Sequence, residues 1–431
     1  MALKLILLIS LTIALASFQD PPPEGKRLIK YAPDEPAKWL TPDELSLLLS
    51  NNSFDFLDLT LEAMSLSTNK SGEARLLSDI QFPDHPLETD VVRKLFPLLN
   101  QERMSSFIKN LSWHHFRSRN ALFFYGPFEA EGWLAREINS TVSDCDYCSI
   151  RLINDSFIRF YHQNNIIVKL EGHEEDLSQG PVILAAHYDS IYFPNGLGIM
   201  KVEFETRRAP GADDNGSGVA VLMEVLQTLL QSGLRLKHSV EFHFYTCKRL
   251  YPQGSSNVVS TYQKEKKNVK AVLNLDTIGF PPKKDGVAVA IAVLQLEPDP
   301  EPDPDFPRPN ATDMGLNAFV KMLAEEYVDP KFGVEEKICA KECRSDQYPW
   351  QVAKHPAALL MEFEPNPHVR SERDTVEKLD FEQINEVAKL ALAFVIELGV
   401  PDNEMESSAM SQQRLGWTVM GLSSLGIWMI N

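Results

Sequence analysis

Between residues 150 and 398 short apolar runs alternate with longer amphipathic stretches, and few architectures tolerate that order. Ile150–Asn154 and Ile166–Leu170 read as strands, and Gly180–Ala186 is an unbroken apolar run of the kind a sheet buries on both faces. Gly218–Leu230 then places Val221, Leu222, Val225, Leu226, Leu229 and Leu230 on one helical face. Ser239–Thr246, Val269–Leu275 and Ala357–Phe363 add strands, and Phe381–Leu398 closes with an amphipathic helix. Upstream, Val91–Leu99, Glu102–Leu111 and Ala130–Ile138 carry apolar residues at helical spacing. The pattern predicts an α/β domain over residues 81–400 around a largely buried sheet.

The chain has 431 residues, 44% of them hydrophobic, which is enough for such a core and excludes a wholly disordered or fibrous protein. Residues 18–80 are polar, with prolines at 21, 22 and 23 and only short amphipathic pieces such as Pro42–Leu49, and read as an appendage. Glu297–Pro309, acidic and proline-rich, reads as a solvated loop; as a calcium site it lacks the usual turn glycine. Forty-two basic against 60 acidic residues leave a net charge of −18, which opposes a polyanionic partner and excludes nucleic acid as the expected ligand.

Residues 1–17 read as a signal peptide: Lys4 precedes an apolar run that ends in small residues, with Ala14 and Ala16 spaced as at a cleavage site. That run is short of the ~20 residues of a membrane span, so no span is expected after cleavage and the protein is placed outside the cell or on its surface. Sequons at Asn51, Asn69, Asn110, Asn139, Asn154 and Asn310 fit this route as glycosylation sites, whereas a seventh at Asn215 falls in the motif discussed next. Residues 401–431 have the layout of a glycolipid-anchor signal, with Ser407, Ser408 and Ala409, a polar spacer and a moderately apolar tail; a frayed amphipathic tail is the alternative. Of five cysteines, Cys339 with Cys343 and Cys145 with Cys148 are each close enough to bridge, which leaves Cys247 as a buried thiol. A zinc knuckle built from the two pairs is disfavoured by their separation in sequence.

Ligand sites of open α/β sheets lie at the carboxyl ends of the strands. There the sequence places His187-Tyr188-Asp189, then Gly211-Ala212-Asp213-Asp214-Asn215-Gly216-Ser217-Gly218 opening a helix, Lys248-Arg249, and Asp276. His187, Asp213 and Asp276 form an imidazole and carboxylate set suited to zinc, and Asp189 is spaced to orient the His187 ring. Taken singly, each has an ordinary structural reading as a satisfied histidine or a turn aspartate.

Together these motifs resemble the zinc-dependent aminopeptidases of the fungal secreted leucine aminopeptidase type. The likeness runs from about Arg27 to Leu398. It takes in the HxD at His187 and Asp189, GADDNGSG at 211–218, EFHFY at 241–245, Leu275-Asp276, Cys-x3-Cys at 339 and 343, Ser345-Asp346 and His-Pro-Ala-Ala at 355–358. The resemblance implies a mixed central sheet flanked by helices, a propeptide-like N-terminal appendage, a Cys339–Cys343 disulfide, peptides or protein N-termini as partners, and a paired-zinc site. In that site His187 and Asp276 would hold one zinc and Asp213 would bridge both, and the turn in which Asp214 follows Asp213 carries a cis peptide in the family, which the glycines here permit.

The remaining positions depart from the family. Where it has a glutamate base and a glutamate ligand, this chain has Lys248 and Arg249, and Arg370 stands where the family has its last histidine, with His368 out of register. An ammonium cannot take a proton from attacking water. A guanidinium at about 4 Å repels a dication by roughly 8 kcal/mol at an effective dielectric near 20. The expectation is therefore a catalytically inactive family member with no zinc or one weakly bound zinc, its arginines pairing with Asp213 and Asp276. The alternative is an active single-zinc aminopeptidase that releases N-terminal, leucine-like residues using another base such as Glu362, Glu364 or His368.

Overall fold

The computed structural model describes residues 23–30, 36–51, 57–61, 63, 81–112, 116, 118–121, 127–154, 163–173, 180–193, 207–248, 252–282, 288–294, 314–339 and 343–400. The signal segment, Asn69, Arg249, Glu297–Pro309, Asn310 and the tail from 401 lie outside them. Near the N-terminus, β1 (Arg27–Lys30) pairs antiparallel with both β2 (Lys38–Leu40) and β3 (Leu57–Asp58), and helix α1 (Pro42–Asn51) lies between the last two in sequence.

The body begins with α2 (Thr89–Leu95), α3 (Gln101–Leu111) and α4 (Pro127–Val142). It continues through β4 (Cys148–Ile153), β5 (Asn165–Leu170), β6 (Val182–His187), α5 (Gly218–Ser232), β7 (Val240–Tyr245), α6 (Gln253–Lys264) and β8 (Ala271–Asp276). It closes with β9 (Val289–Leu294), α7 (Met314–Tyr327), β10 (Val334–Cys339), α8 (Gln347–Val352), β11 (Ala357–Glu362) and α9 (Phe381–Gly399). Eight strands form one sheet in the order β10-β9-β11-β8-β6-β7-β5-β4. The sheet is mixed: β6 runs parallel to both β7 and β8, while β5 is antiparallel to β7 and β11 to β9. The expected α/β fold with a mixed central sheet flanked by helices is the one observed.

Strand alternation distributes the sheet's side chains between two layers. Val182, Leu184 and Ala186 of β6 and Val240, Phe242 and Phe244 of β7 join α5 and α9 in the larger core. Ile183 and Ala185 of β6 and Tyr245 of β7 pack on the opposite face with Val258, Val259 and Tyr262 of α6 and Trp350 of α8. Glu241 and His243 share that second face, and they are buried in a closed set of bonds. His243 Nε2 lies 2.9 Å from Glu241 Oε2 and its Nδ1 2.9 Å from the Tyr245 hydroxyl, while the Tyr262 hydroxyl donates to Glu241 and Trp350 Nε1 donates to the Tyr245 hydroxyl at 2.9 Å. Leu61, just past β3, enters the same layer.

A disulfide joins Cys145 to Cys148, Cys343 is also disulfide-bonded, and Cys247 is buried; the Cys339 side chain lies outside the described residues. Asn110, Asn139 and Asn154 are exposed, and Asn51 ends α1. Among the described residues no helix is long and apolar enough to cross a membrane.

Candidate functional site

Because β6, β7 and β8 are mutually parallel neighbours, their carboxyl ends open on one edge of the sheet. His187 is the last residue of β6, Asp276 the last of β8, and Lys248 follows β7. The turn Ala212–Ser217, with a cis peptide between Asp214 and Asn215, leads into α5 beside them. Three of the six non-glycine residues with positive φ among the described residues occur here: Cys247 before Lys248, Thr277 after Asp276, and Arg370 itself. Such backbone is sparsely populated for residues with a side chain and collects where a chain holds groups in set positions.

His187 Nε2 lies 3.2 Å from Asp214 Oδ1 and 3.4 Å from Asp276 Oδ1. Its Nδ1 lies 3.3 Å from Asp189 Oδ1 and 3.1 Å from the Asp189 carbonyl, so Asp189 holds the ring from behind as its spacing predicted. The carboxylate on the triad is that of Asp214 and not of Asp213, which corrects the expected ligand set by one residue. The turn sends the two side chains opposite ways. Asp213 is fully buried, with Oδ1 accepting from the Gly279 amide at 2.9 Å and Oδ2 from Asn366 Nδ2 at 2.8 Å. Asp374 holds the turn from beneath, accepting from the Asp213 amide at 2.9 Å and the Asp214 amide at 3.1 Å. Asn215, the asparagine of the seventh sequon, is fully buried and donates to the Leu275 carbonyl at 2.7 Å.

Two cations share the site. Lys248 Nζ donates to Asp276 Oδ2, which also accepts from Ser345 Oγ at 2.6 Å, and lies 3.9 Å from Asp214 Oδ1. Arg370 Nε is 3.5 Å from Asp214 Oδ2. Arg370 thus meets Asp214 and neither Asp213 nor Asp276, which corrects the expected pairing; Lys248 takes Asp276, and Arg249, the other arginine of that expectation, lies outside the described residues. Burial alone would raise the Asp214 and Asp276 carboxyls, but Lys248 and His187, with Arg370 at Asp214, hold both well below the carboxylate range. Burial and Lys248 depress the His187 imidazole, yet pairing with the carboxylates of Asp189, Asp214 and Asp276 outweighs them and keeps it well above its usual value. Burial likewise opposes the charge on Lys248, and Asp276 and Asp214 more than restore it.

Of the other bases considered, Glu362 is buried against Asp213, and burial with that neighbour pushes its pKa up to about 12, so it is a protonated acid at neutral pH. It accepts from the Phe280 amide at 2.7 Å and the Asn366 amide at 3.0 Å. The His368 ring meets Phe280 edge-on at 5.8 Å. Sequence reasoning missed Arg119, a fully buried residue between α3 and α4. No periodicity or motif marks it.

His187, Asp214 and Asp276 are, among the described residues, the group whose ligand atoms lie close enough together to hold a metal ion. Ligand atoms bound tetrahedrally to zinc at about 2.0–2.1 Å are about 3.3–3.4 Å apart, close to the two spacings here. His187 Nε2 and Asp276 Oδ1 are moreover buried, and beyond the ion pairs just given they make no hydrogen bond, so a cation between them would complete their coordination. The residues present therefore fit one zinc ion. A second ion does not fit beside it, since its surroundings on Asp214 and Asp276 hold the ammonium of Lys248 and the guanidinium of Arg370.

A family model described as peptidase family M28 matches residues 165–395. Leucine aminopeptidase 1 of Trichoderma harzianum is 30% identical over 393 residues, covering 88% of each chain. That of Colletotrichum graminicola is 31% identical over 397 residues, covering 88% of this chain and 86% of its own. The solved LapA aminopeptidase of Legionella pneumophila superposes with a TM-score of 0.61 at 20% identity, covering 90% of this chain and 96% of that one, a likeness of fold.

Proposed function

The chain belongs to peptidase family M28, and from that premise we propose that it keeps the family's frame and a one-ion site while having lost peptide hydrolysis. The observation that carries this reading is Lys248, a buried ammonium bonded to Asp276 just beyond β7, where the resemblance puts the family's general base. His187, Asp214 and Asp276 would hold zinc, which when bound supplies a Lewis acid that polarises a carbonyl oxygen. The chain's own residues do the rest of what the site can do. Asp189 fixes the His187 ring, Asp374 fixes the turn that presents Asp214, and Lys248 and Arg370 neutralise the outer carboxylate oxygens. Neither cation can accept a proton from water at neutral pH. On this reading the site would bind peptides or protein N-termini without cleaving them.

We place the protein in the secretory route, on the signal-like residues 1–17, the exposed Asn110, Asn139 and Asn154, and the disulfides; the anchor layout of residues 401–431 would tether it to a surface. The second reading, a one-zinc aminopeptidase, is favoured by the complete triad and its two atoms without a hydrogen bond. Metal analysis of the purified protein, combined with hydrolysis of a leucine chromogenic substrate with and without added zinc, decides between them. At most one zinc per chain and no turnover is expected. Chelator-sensitive turnover would overturn the inactive reading in favour of the second.

A further inference from the structure

The guanidinium of Arg119 hydrogen-bonds to main-chain carbonyls instead of to a carboxylate. Nε donates to the Tyr188 carbonyl at 2.7 Å, Nη1 to the carbonyls of Leu111, at 3.1 Å, and Pro210, and Nη2 to that of Gly211 at 2.8 Å. These acceptors lie on three separate segments. Leu111 ends α3, Tyr188 stands between His187 and Asp189, and Pro210 and Gly211 run directly into Ala212, Asp213 and Asp214. Bonds of its neighbours draw the same segments together. The Arg119 amide donates to Ser190 Oγ at 3.1 Å, Ser190 Oγ to the Ala209 carbonyl at 2.7 Å, and Ser118 Oγ to the Ser190 carbonyl at 3.0 Å, while Ser118 and Ala209 form a parallel bridge.

We propose that Arg119 is a positioning residue for the cation site: it locks the Tyr188–Ser190 segment to the Pro210–Gly211 turn and thereby sets His187 Nε2 against Asp214 Oδ1. Only a planar fork with five donors can serve four carbonyls at once; the single nitrogen of a lysine cannot. The turn is shaped to admit it. Gly211 has φ +56°, and a Cβ there would lie 2.8 Å from Arg119 Nη2, 2.6 Å from the Asp214 carbonyl and 2.5 Å from the Ser190 Cβ. Burial draws the Arg119 pKa down to about 10 against the fields of Asp374, Asp189 and Asp214, so the side chain remains a fixed cation among the site's carboxylates at neutral pH.

The inference rests on the one-ion reading only for its metal readout, and its test has two arms. Hydrogen exchange of the full chain is followed at residues 188–190 and 211–216, and zinc affinity is measured by competition with a chromophoric chelator, in wild type, Arg119→Lys and Arg119→Ala. Arg119→Lys should fold, lose at least about tenfold of its amide protection in both segments together while β4 and β5 keep theirs, and bind zinc about tenfold more weakly. Methylguanidinium should restore affinity to Arg119→Ala, which a general loss of stability would not allow. Should Arg119→Lys fail to fold, Gly211→Ala, which crowds the same guanidinium, must give the same paired loss. Unchanged exchange, a uniform rise across the chain, or loosening of one segment alone overturns the proposal. If wild type binds no zinc, the metal reading fails, and the exchange pattern by itself decides for or against Arg119.

Discussion

Lys248 sits 3.9 Å from an oxygen of Asp214 and is bonded to Asp276, so any ion in the triad must share both carboxylates with it. Removing that charge should tighten zinc binding: Lys248→Ala is expected to raise affinity by about tenfold or more, a conservative share of the repulsion that two such charges exert. Competition with a chelator checks it, and unchanged affinity would place the ammonium too far from the ion to matter. Protonation at His243 gives a prediction of a different kind. Burial, opposed by Glu241, holds His243 below its usual value, and the bonds from His243 and Tyr262 hold Glu241 below its own despite burial. In both cases the unfolded chain binds the extra proton, so stability falls with falling pH, first below about 6.5 for the histidine and then below about 4.5 for the glutamate. His187 has the opposite sign in the metal-free protein: its raised value contributes stability at low pH that is lost as pH rises through the folded value. The difference between wild type and His243→Gln isolates the first effect. Between pH 6.5 and 5 denaturant melts should show the variant losing less stability per unit, by up to about 1.4 kcal/mol; parallel curves would refute it.

At the scale of elements, α3 is fastened to α5 through one carboxylate. Glu224 of α5 is nearly fully buried; it accepts from Arg103 Nε at 2.7 Å and Nη2 at 2.5 Å, and from the Asn100 amide at 2.7 Å, while the Asn100 side chain caps α3 by accepting from the Arg103 amide at 2.9 Å. Arg103→Ala would leave a buried carboxylate with one bond and is expected to cost about 2–3 kcal/mol, less than for a fully buried pair because Arg103 is partly exposed. Asn100→Ala should cost about 1 kcal/mol through the lost cap. Chemical denaturation tests both, and equal costs would mean that the ion pair adds nothing beyond the cap. Elements were legible in the sequence in proportion to how far burial shaped them. Val182–His187 is a central strand and reads as an apolar run, and Val240–Tyr245, another, reads through valine and aromatic residues around Glu241 and His243; Val289–Leu294 is apolar throughout but is not among the strands expected above. By contrast, Val334–Cys339 is an edge strand bearing Glu335, Glu336 and Lys337, the charges with which edges resist further pairing, and its composition hides it. Helix α6, with Gln253, Gly254, Ser255, Ser256 and Asn257 at its start, buries polar residues and lacks an apolar stripe to read. Within the site, the residue types were legible but Asp213 could not be told from Asp214, since which of two adjacent carboxylates faces the histidine is decided by turn dihedrals. The Arg119 guanidinium bonds to main-chain carbonyls, which any sequence supplies.

At the scale of the whole molecule, the N-terminal sheet and the body share a buried surface. Asp58 of β3 pairs with Arg27 at 3.1 Å and accepts from Gln253 Nε2 at 3.2 Å, and Gln253 opens the helix that follows Lys248. Leu61, 4% exposed, packs in one cluster with Ile153, Tyr245, Val258, Tyr262 and Trp350. Cleaving off residues 18–80 would uncover this cluster and leave Gln253 without Asp58, with the loss of a buried leucine alone worth about 2–5 kcal/mol. The segment is therefore expected to remain part of the working protein, as a wall beside the strand end that carries Lys248. Intact mass of the secreted chain should include residues 18–80, and Leu61→Ala should lower the midpoint of a single cooperative melt of the whole chain. A mass that begins near residue 81, or a body whose melting ignores Leu61→Ala, would mean that the shared layer closes without the segment, and that the N-terminal sheet serves only before processing.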